Sequence, residues 1–218
     1  MKVVCISDMH GNLNFEIPEC DLLLIAGDIC PANHSKALSE PKQMIWLEHD
    51  FRGWLDVQPI KKAVAVAGNH DWIWESSKYS VPDNFDKFKY IEDEETEYEG
   101  LRIYGTPVQL NFCNWAFNRS AKEIQKYWDV IPEGLDILLL HCPPYGILDE
   151  TQHPYYASEH IGSKSLTERI EKVRPRYVVF GHNHGEHGVV EENGITYVNA
   201  SMVDEEYELN RQPIVLEI

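Results

Sequence analysis

Five short apolar runs in this chain each lead directly into residues that can hold a metal ion or a proton, and this repetition restricts the folds open to it. Ala63-Val64-Ala65-Val66-Ala67 runs into Gly68-Asn69-His70-Asp71. Val3-Val4-Cys5-Ile6 runs into Ser7-Asp8-Met9-His10, and Leu22-Leu23-Leu24-Ile25-Ala26 into Gly27-Asp28. Ile137-Leu138-Leu139-Leu140 is followed by His141-Cys142-Pro143-Pro144, and Tyr177-Val178-Val179-Phe180 by Gly181-His182-Asn183-His184. Runs of this length and β-branched content suit strands buried on both faces. A single Asn-His-Asp at a strand tip is adequately explained as a hydrogen-bonded turn. Five such tips in 218 residues are not, because buried polar groups cost free energy unless they have partners. In α/β sheets, functional groups collect outside the carboxyl ends of strands, so the tips are expected to converge.

The segments between the runs supply the helices of such a fold. Ser39 is a plausible N-cap for a helix with Met44, Leu47, Phe51 and Trp54 on one stripe, ended by Pro59. Residues 72–93 read as irregular. Tyr98-Glu99-Gly100-Leu101 reads as a hairpin turn between two short strands, the second ending near Tyr104-Gly105. Asn111 to Asn118 reads as a loop of amides and aromatics. Ser120 and Glu123 form a capping box for a helix with Ile124, Tyr127, Trp128 and Ile131 on one face. Ser165 and Glu168 are expected to cap a third helix, with Leu166, Ile170 and Val173 inward and Pro175 beyond its end. Residues 143–162 make a long loop of the kind that serves as a lid or binding loop. The last 35 residues read as short antiparallel strands. Without linker, repeat or low-complexity segment, the expectation is one α/β domain over residues 1–218, with mixed, layered sheets.

Charge limits the partners. The formal net charge is −17, and acids outnumber bases 36 to 19, so no basic track for a nucleic acid backbone is visible. Part of the excess is the run Glu92 to Glu99, which reads as a solvated edge. No apolar stretch is long enough to span a bilayer. The chain opens into a strand without a secretory signal, and its five cysteines show no C-x-x-C spacing. Free thiols in a reducing, cytoplasmic compartment are the expectation. His34 could reach the site, although a lone loop histidine usually faces solvent, and His153 and His160 are weak candidates for any role.

Collected, the tips offer Asp8, His10, Asp28, Asn69, His141, His182 and His184. The set contains oxygen and nitrogen donors without a thiolate and is too large for one tetrahedral ion. With one carboxylate bridging, it suits two transition ions about 3.5–4 Å apart. A single metal site, or histidines scattered through a core, are the competing readings.

In order, D-x-H, G-D, G-N-H-D, a lone His after a strand and G-H-x-H resemble the motifs of the calcineurin-like metallophosphoesterase superfamily, from Asp8 to His184. The resemblance implies a layered α/β/β/α sandwich. It implies that Asp8, His10, Asp28 and His184 hold one metal, and that Asp28 bridges to a second completed by Asn69, His141 and His182. It implies that His70 faces the phosphate or leaving group, steadied by Asp71. A narrower likeness joins Tyr104-Gly105-Thr106-Pro107, His141-Cys142-Pro143-Pro144, Val173-Arg174-Pro175 and Tyr197-Val198-Asn199-Ala200-Ser201. These are similar to the metallophosphoesterase-domain-containing (MPPED) group, related to cyclic nucleotide phosphodiesterases. Some members lack the first His of G-H-x-H and are feeble enzymes that hold a nucleotide. This chain retains His182.

The implied cofactors are two divalent ions, Mn2+ first, with Fe, Zn, Ni or Co as alternatives. The implied activity is hydrolysis of a small phosphodiester or nucleotide, by in-line attack of a hydroxide bridging the metals, with His70 assisting the leaving group. The G-D-x-x-D-R-G block of phosphoprotein phosphatases is absent, since Gly27-Asp28 runs into Ile29-Cys30-Pro31. No arginine clamp for a monoester stands beside a motif; Arg52, Arg102 and Arg119 are unplaced. Trp72, Trp115 and Tyr145 are candidates to stack on a base, or simply core. A nuclease working within a complex, and a nucleotide-binding scaffold with weak activity, are the alternatives.

Overall fold

The structure, a computed structural model, describes residues 1–31, 36–75, 84–151 and 160–218. His34 and His153, with the rest of residues 152–159 of the long loop after His141, lie outside the described residues.

Among the described residues the strands form two six-stranded mixed sheets and one small two-stranded sheet. The first sheet is built on β1 (Lys2–Ile6), β2 (Cys20–Ala26) and β3 (Ile60–Val66), all parallel. β4 (Asn84–Phe85) and β5 (Phe88–Tyr90) extend it beyond β3. The second sheet starts at its edge with β6 (Glu94–Tyr98) and β7 (Leu101–Thr106), joined by the expected hairpin with Tyr98 opposite Leu101. Glu99 and Gly100 both take positive φ there, as a tight two-residue hairpin turn requires. The small sheet pairs β8 (Gln109–Leu110) with β9 (Asn118–Arg119). β10 (Ile137–Leu140), β11 (Tyr177–Phe180) and β13 (Ile195–Asn199) run parallel to β7, with β12 (Gly188–Glu192) antiparallel at the far edge.

Side-chain alternation creates the layers. In β1 and β2, Val3, Cys5, Leu22 and Leu24 face the second sheet, meeting Ile137, Leu139, Val179 and Val198. Their neighbours Val4, Ile6, Leu23 and Ile25 face outward under Leu47, Phe51 and Leu55. On the other side Leu138, Leu140, Val178 and Phe180 pack under Ile124, Trp128, Leu166 and Ile170. A period of two, apolar on both faces, needs a layer on each side. The result is the expected α/β/β/α sandwich.

The helices differ from expectation in detail. The first, α1 (Lys36–Trp46), already includes Ser39, which is buried within it rather than capping it. It continues through a π-helical turn at Leu47–Phe51 into α2 (Arg52–Val57). The described residues between 72 and 93 are more regular than anticipated, containing β4, β5 and the short α3 (Trp72–Glu75). The Ser120–Glu123 capping box is present, with Ser120 N donating to Glu123 Oε2 at 3.2 Å and Glu123 N to Ser120 Oγ at 3.3 Å, ahead of α4 (Gln125–Asp129). In α5 (Lys164–Val173) the cap is Ser163 and not Ser165. Ser163 has the extended backbone that a cap needs, and its Oγ accepts from Leu166 N at 3.3 Å; Ser165 instead meets Ser163 Oγ at 3.2 Å. Arg174 ends α5 in the left-handed region, ahead of Pro175, which disfavours a helical residue before it. The terminal strands are not one antiparallel set. β13 pairs parallel with β11, and β14 (Ile214–Glu217) crosses to the first sheet to pair antiparallel with β1.

Candidate metal centre

The tips of β1, β2, β3, β10 and β11 meet at one end of the sandwich. Past the ends of β1 and β2 the backbone pairing continues, with Asp8 N to Gly27 O at 3.0 Å and His10 N to Asp28 O at 3.0 Å. Asp8, His10, Asp28 and His182 all have positive φ, a conformation costing about 1–3 kcal/mol for residues with a Cβ. Such strain persists only where surrounding contacts over-determine it, and here it gathers in four of the seven candidate ligands. Two glycines make room. A Cβ at Gly68 would run into Asp28 and lie 2.7 Å from His141 Cε1, and one at Gly181 would run into Asp8 and Ser7.

Asp8, His10 and His184 form one group able to hold a cation, and Asp8, Asp28 and His141 a second. His10, Asp28 and His70 make a third, so His70 stands close enough to share an ion. His184 Nε2 lies 3.3 Å from Asp8 Oδ1 and 3.3 Å from His10 Nε2. Asp28 Oδ2 faces His141 Nε2 at 3.6 Å, His10 Nε2 at 3.8 Å and His70 Nε2 at 3.9 Å. His182 joins through Asn69, whose Oδ1 is 2.8 Å from His182 Nδ1 and 2.9 Å from His141 Nε2. All seven expected ligands are thus brought together.

The donor set fits a cation. His141 Nδ1 lies 2.8 Å from Ala26 O, a carbonyl that can only accept, so that nitrogen carries the proton. In the neutral ring the lone pair on Nε2 then points at the Asn69 amide oxygen and the Asp28 carboxylate. Acceptors face acceptors, an arrangement a positive ion relieves. Asp8 and Asp28 are almost fully buried, and among the described residues their ion-pair partners are histidines only. Burying two carboxylates without a full counter-charge is expensive.

Electrostatics split the two carboxyls. Burial works against ionising Asp8, but the His184 hydrogen bond and neighbouring imidazoles hold it well below the usual carboxylate range. Asp28 goes the other way, pushed up by burial and then by the charges of Asp8 and Asp71. The pair therefore gives up its first proton easily and its second with difficulty. Burial also pushes His10, His141 and His182 below the ordinary imidazole value, keeping them neutral.

Asp71 supports the backbone around His70, and Gln43, Arg211 and Tyr207 add supports that sequence reasoning did not identify. The Asp71 carboxylate accepts from Gly68 N at 2.8 Å, Cys30 N at 2.8 Å and Ile29 N at 3.1 Å, tying the β2 and β3 tips together. Gln43 of α1 donates to His70 O at 2.6 Å and accepts from Ile73 N at 3.1 Å. Arg211 donates to the carbonyls of His184 and Glu186. Tyr207 places its ring beside His10 and His184. Gln43 lies outside the apolar stripe of its helix, and nothing in the acidic surroundings of Tyr207 marks it.

Of the three stacking candidates, Trp115 lies at the site, its ring centroid 4.1 Å from that of His70. Trp72 is buried behind it, with centroids 6.1 Å apart. Tyr145 packs against His160 and under Lys164. His160, a weak candidate for any role on sequence, has Nδ1 2.8 Å from the buried Asp149 carboxylate.

Comparison with known proteins agrees with this geometry. Residues 1–186 match the family model described as calcineurin-like phosphoesterase. Metallophosphoesterase domain-containing protein 1 of Homo sapiens is 31% identical over 244 residues, covering 100% of this chain and 71% of that protein. The UPF0046 protein K07C11.7 of Caenorhabditis elegans is 27% identical over 236 residues, covering 100% of this chain and 75% of that protein. Among solved structures, the phosphopantetheinyl hydrolase PptH from Mycobacterium tuberculosis shares the fold. Its TM-score is 0.59 at 12% identity, over 94% of this chain and 90% of that one.

Proposed function

The chain belongs to the calcineurin-like phosphoesterase family, and from that premise we propose that it is a two-metal phosphodiesterase acting on small phosphodiesters, cyclic nucleotides among them. Family membership makes it a hydrolase of phosphoester bonds; the diester preference and the ligand roles are the proposal. The observation that carries it is the convergence of the seven donors, with His182 among them and His70 alongside.

Asp8, His10, Asp28 and His184 would hold one ion, and Asp28, Asn69, His141 and His182 the other. When bound, such a pair of divalent ions lowers the pKa of water and draws charge from phosphoryl oxygens. The protein's own residues do the rest. Asp71 and Gln43 fix the backbone on either side of His70, whose ring lies between His10 and Trp115, with centroids 4.8 and 4.1 Å away. From there His70 donates a proton to the departing alkoxide. Trp115 shields this proton transfer from bulk water and offers a face to a base or aryl leaving group.

Cation placement supports a diester over a monoester. Arg52 is paired with Asp86, Arg102 with Glu95, and Arg119 with Glu75 and the Tyr127 hydroxyl. Arg211, which stands nearest the motifs, spends its donors on backbone carbonyls. A singly charged diester needs no further clamp, whereas a monoester dianion gains from one.

The test is a side-by-side measurement of kcat/KM with Mn2+ on p-nitrophenyl phosphate, bis(p-nitrophenyl) phosphate, and 2′,3′- and 3′,5′-cyclic nucleotides. Faster hydrolysis of the diesters is expected. A clear preference for the monoester would overturn the reading.

A further inference from the structure

Tyr207 occupies an unusual position for a side chain outside the motifs. The segment after β13 returns to the candidate centre, where Met202 N donates to Ser7 O at 2.9 Å. Asp204 then organises a tight turn. Its Oδ1 accepts from Glu206 N and Glu208 N, each at 3.0 Å, and its Oδ2 accepts from Asn210. Tyr207 N donates to Asp204 O at 2.9 Å, and a bridge between Val203 and Leu209 closes the base of the turn. Thr151 Oγ1 bonds Glu205 Oε1 at 2.5 Å, pinning the turn from outside.

This scaffold holds Tyr207 at φ 62°, the left-handed region that bulky residues rarely enter. The ring thereby comes within 4.9 Å of His10 and 4.8 Å of His184, centroid to centroid, and within 6.5 Å of His70. The residue remains 50% exposed, so the demands of core packing do not explain the strain. The ring packs against both imidazoles, tilted at 57° to His10 and edge-on at 84° to His184, whose Nε2 atoms converge at 3.3 Å.

We propose that Tyr207 is a positioning residue that braces His10 and His184 from the solvent side and slows release of the ion held by Asp8, His10 and His184. An imidazole turns about a broad terminal torsion, and releasing an ion requires that turn. Packing a rigid ring against both histidines restricts it. The ring, not the hydroxyl, supplies the contact. The inference rests on the metal-binding reading of the site and is independent of the substrate class.

The experiment loads the full chain with Mn2+, counts bound ions per chain by elemental analysis, and then follows their loss to excess EDTA over time. Tyr207→Ala is expected to lose one ion about 10–100-fold faster than the wild type, the range seen when a ligand's supporting contacts are removed. Tyr207→Phe is expected to match the wild type, and the metal-free Tm of both variants to stay unchanged. Equal loss rates for wild type and Tyr207→Ala, or a Tyr207→Phe as leaky as the alanine variant, would overturn the proposal. Should the alanine variant not fold, Tyr207→Leu, which keeps bulk without a ring, makes the same comparison. A wild type that binds no ion defeats the metal reading itself, which separates that failure from this one.

Discussion

Asp28 Oδ1 accepts the backbone N–H of His70 at 2.7 Å, while its Oδ2 faces the imidazoles of His10, His70 and His141. One carboxylate thus serves the centre with one oxygen and fixes the backbone of the candidate acid with the other. The β2 tip and the β3 tip consequently move as a unit, stapled a second time by Asp71.

That double duty makes Asp28 the most sensitive position in the centre. Asp28→Ala is expected to lower metal content from two ions per chain to one or fewer, measured by elemental analysis after gel filtration. It also removes the anchor of the His70 backbone, so activity falls further than metal loss alone explains. Two retained ions would show that Asp28 is not the bridge.

His70 should behave differently. His70→Ala is expected to keep metal content near wild type and to reduce turnover by about 10²-fold or more on esters with poor leaving groups, the usual range for lost acid assistance. The loss should shrink with p-nitrophenolate, which departs without a proton. Because His70 Nε2 is 3.9 Å from Asp28 Oδ2, the competing outcome is concrete. Metal loss equal to that of Asp28→Ala would make His70 a ligand.

The strands and their tips were legible because two independent constraints coincide there. Apolar alternation on both faces of Val3–Ile6 or Leu22–Ala26 demands a sandwich, and polar residues at the ends of buried strands demand partners. The cap of α5 was misread because Ser163 and Ser165 both lie near the helix start, and only backbone conformation decides between them. Tyr207 and Gln43 were illegible for another reason. Each reaches the centre through a segment with no strand-to-ligand pattern, and tertiary packing alone brings it there. The crossing of β14 to the first sheet is equally non-local, since Ile214–Glu217 alternates as any edge strand does.

The buried histidines set a pH dependence for the metal-free protein. His10, His141 and His182 are held below their ordinary value of 6.5 by burial. Above that value they are neutral in both folded and unfolded chains and contribute no pH dependence. Below it the unfolded chain takes up protons that the folded one refuses, so stability falls as pH falls. Asp28, raised well above 3.8, and Asp71, pushed up to about 6 by burial, act in the opposite sense, with their penalty easing as pH drops, but these are two carboxyls of the centre against three imidazoles. The urea midpoint of metal-free protein is therefore expected to decline from about pH 6.5 to about pH 5.5. A rising midpoint over that window would contradict the assignment of these rings as buried and neutral.

The last prediction concerns the mouth of the site. Exposed Glu206 and Glu208 flank Tyr207, whose ring touches His10 and His184, so acidic charge stands at the rim of the centre. A small diester reaches the centre with one charge and little surface. A long single strand must lay further phosphates across that rim, against a chain of net charge −17. At about 7 Å in water a unit charge pair is worth about 0.6 kcal/mol, so reversing one glutamate shifts the interaction with a nearby phosphate by about 1.2 kcal/mol. Glu206→Lys or Glu208→Lys is accordingly expected to lower KM for an oligonucleotide by about fivefold to tenfold at low salt. KM for bis(p-nitrophenyl) phosphate should change little. Near 0.15 M ionic strength the Debye length is about 8 Å, and the gain should fade as salt rises through that range. Equal effects on the oligonucleotide and the small diester would mean that the rim acts on the centre itself and not on the length of the substrate. Tight, salt-sensitive binding of the polymer by the unmodified chain would show that the acidic rim does not exclude it.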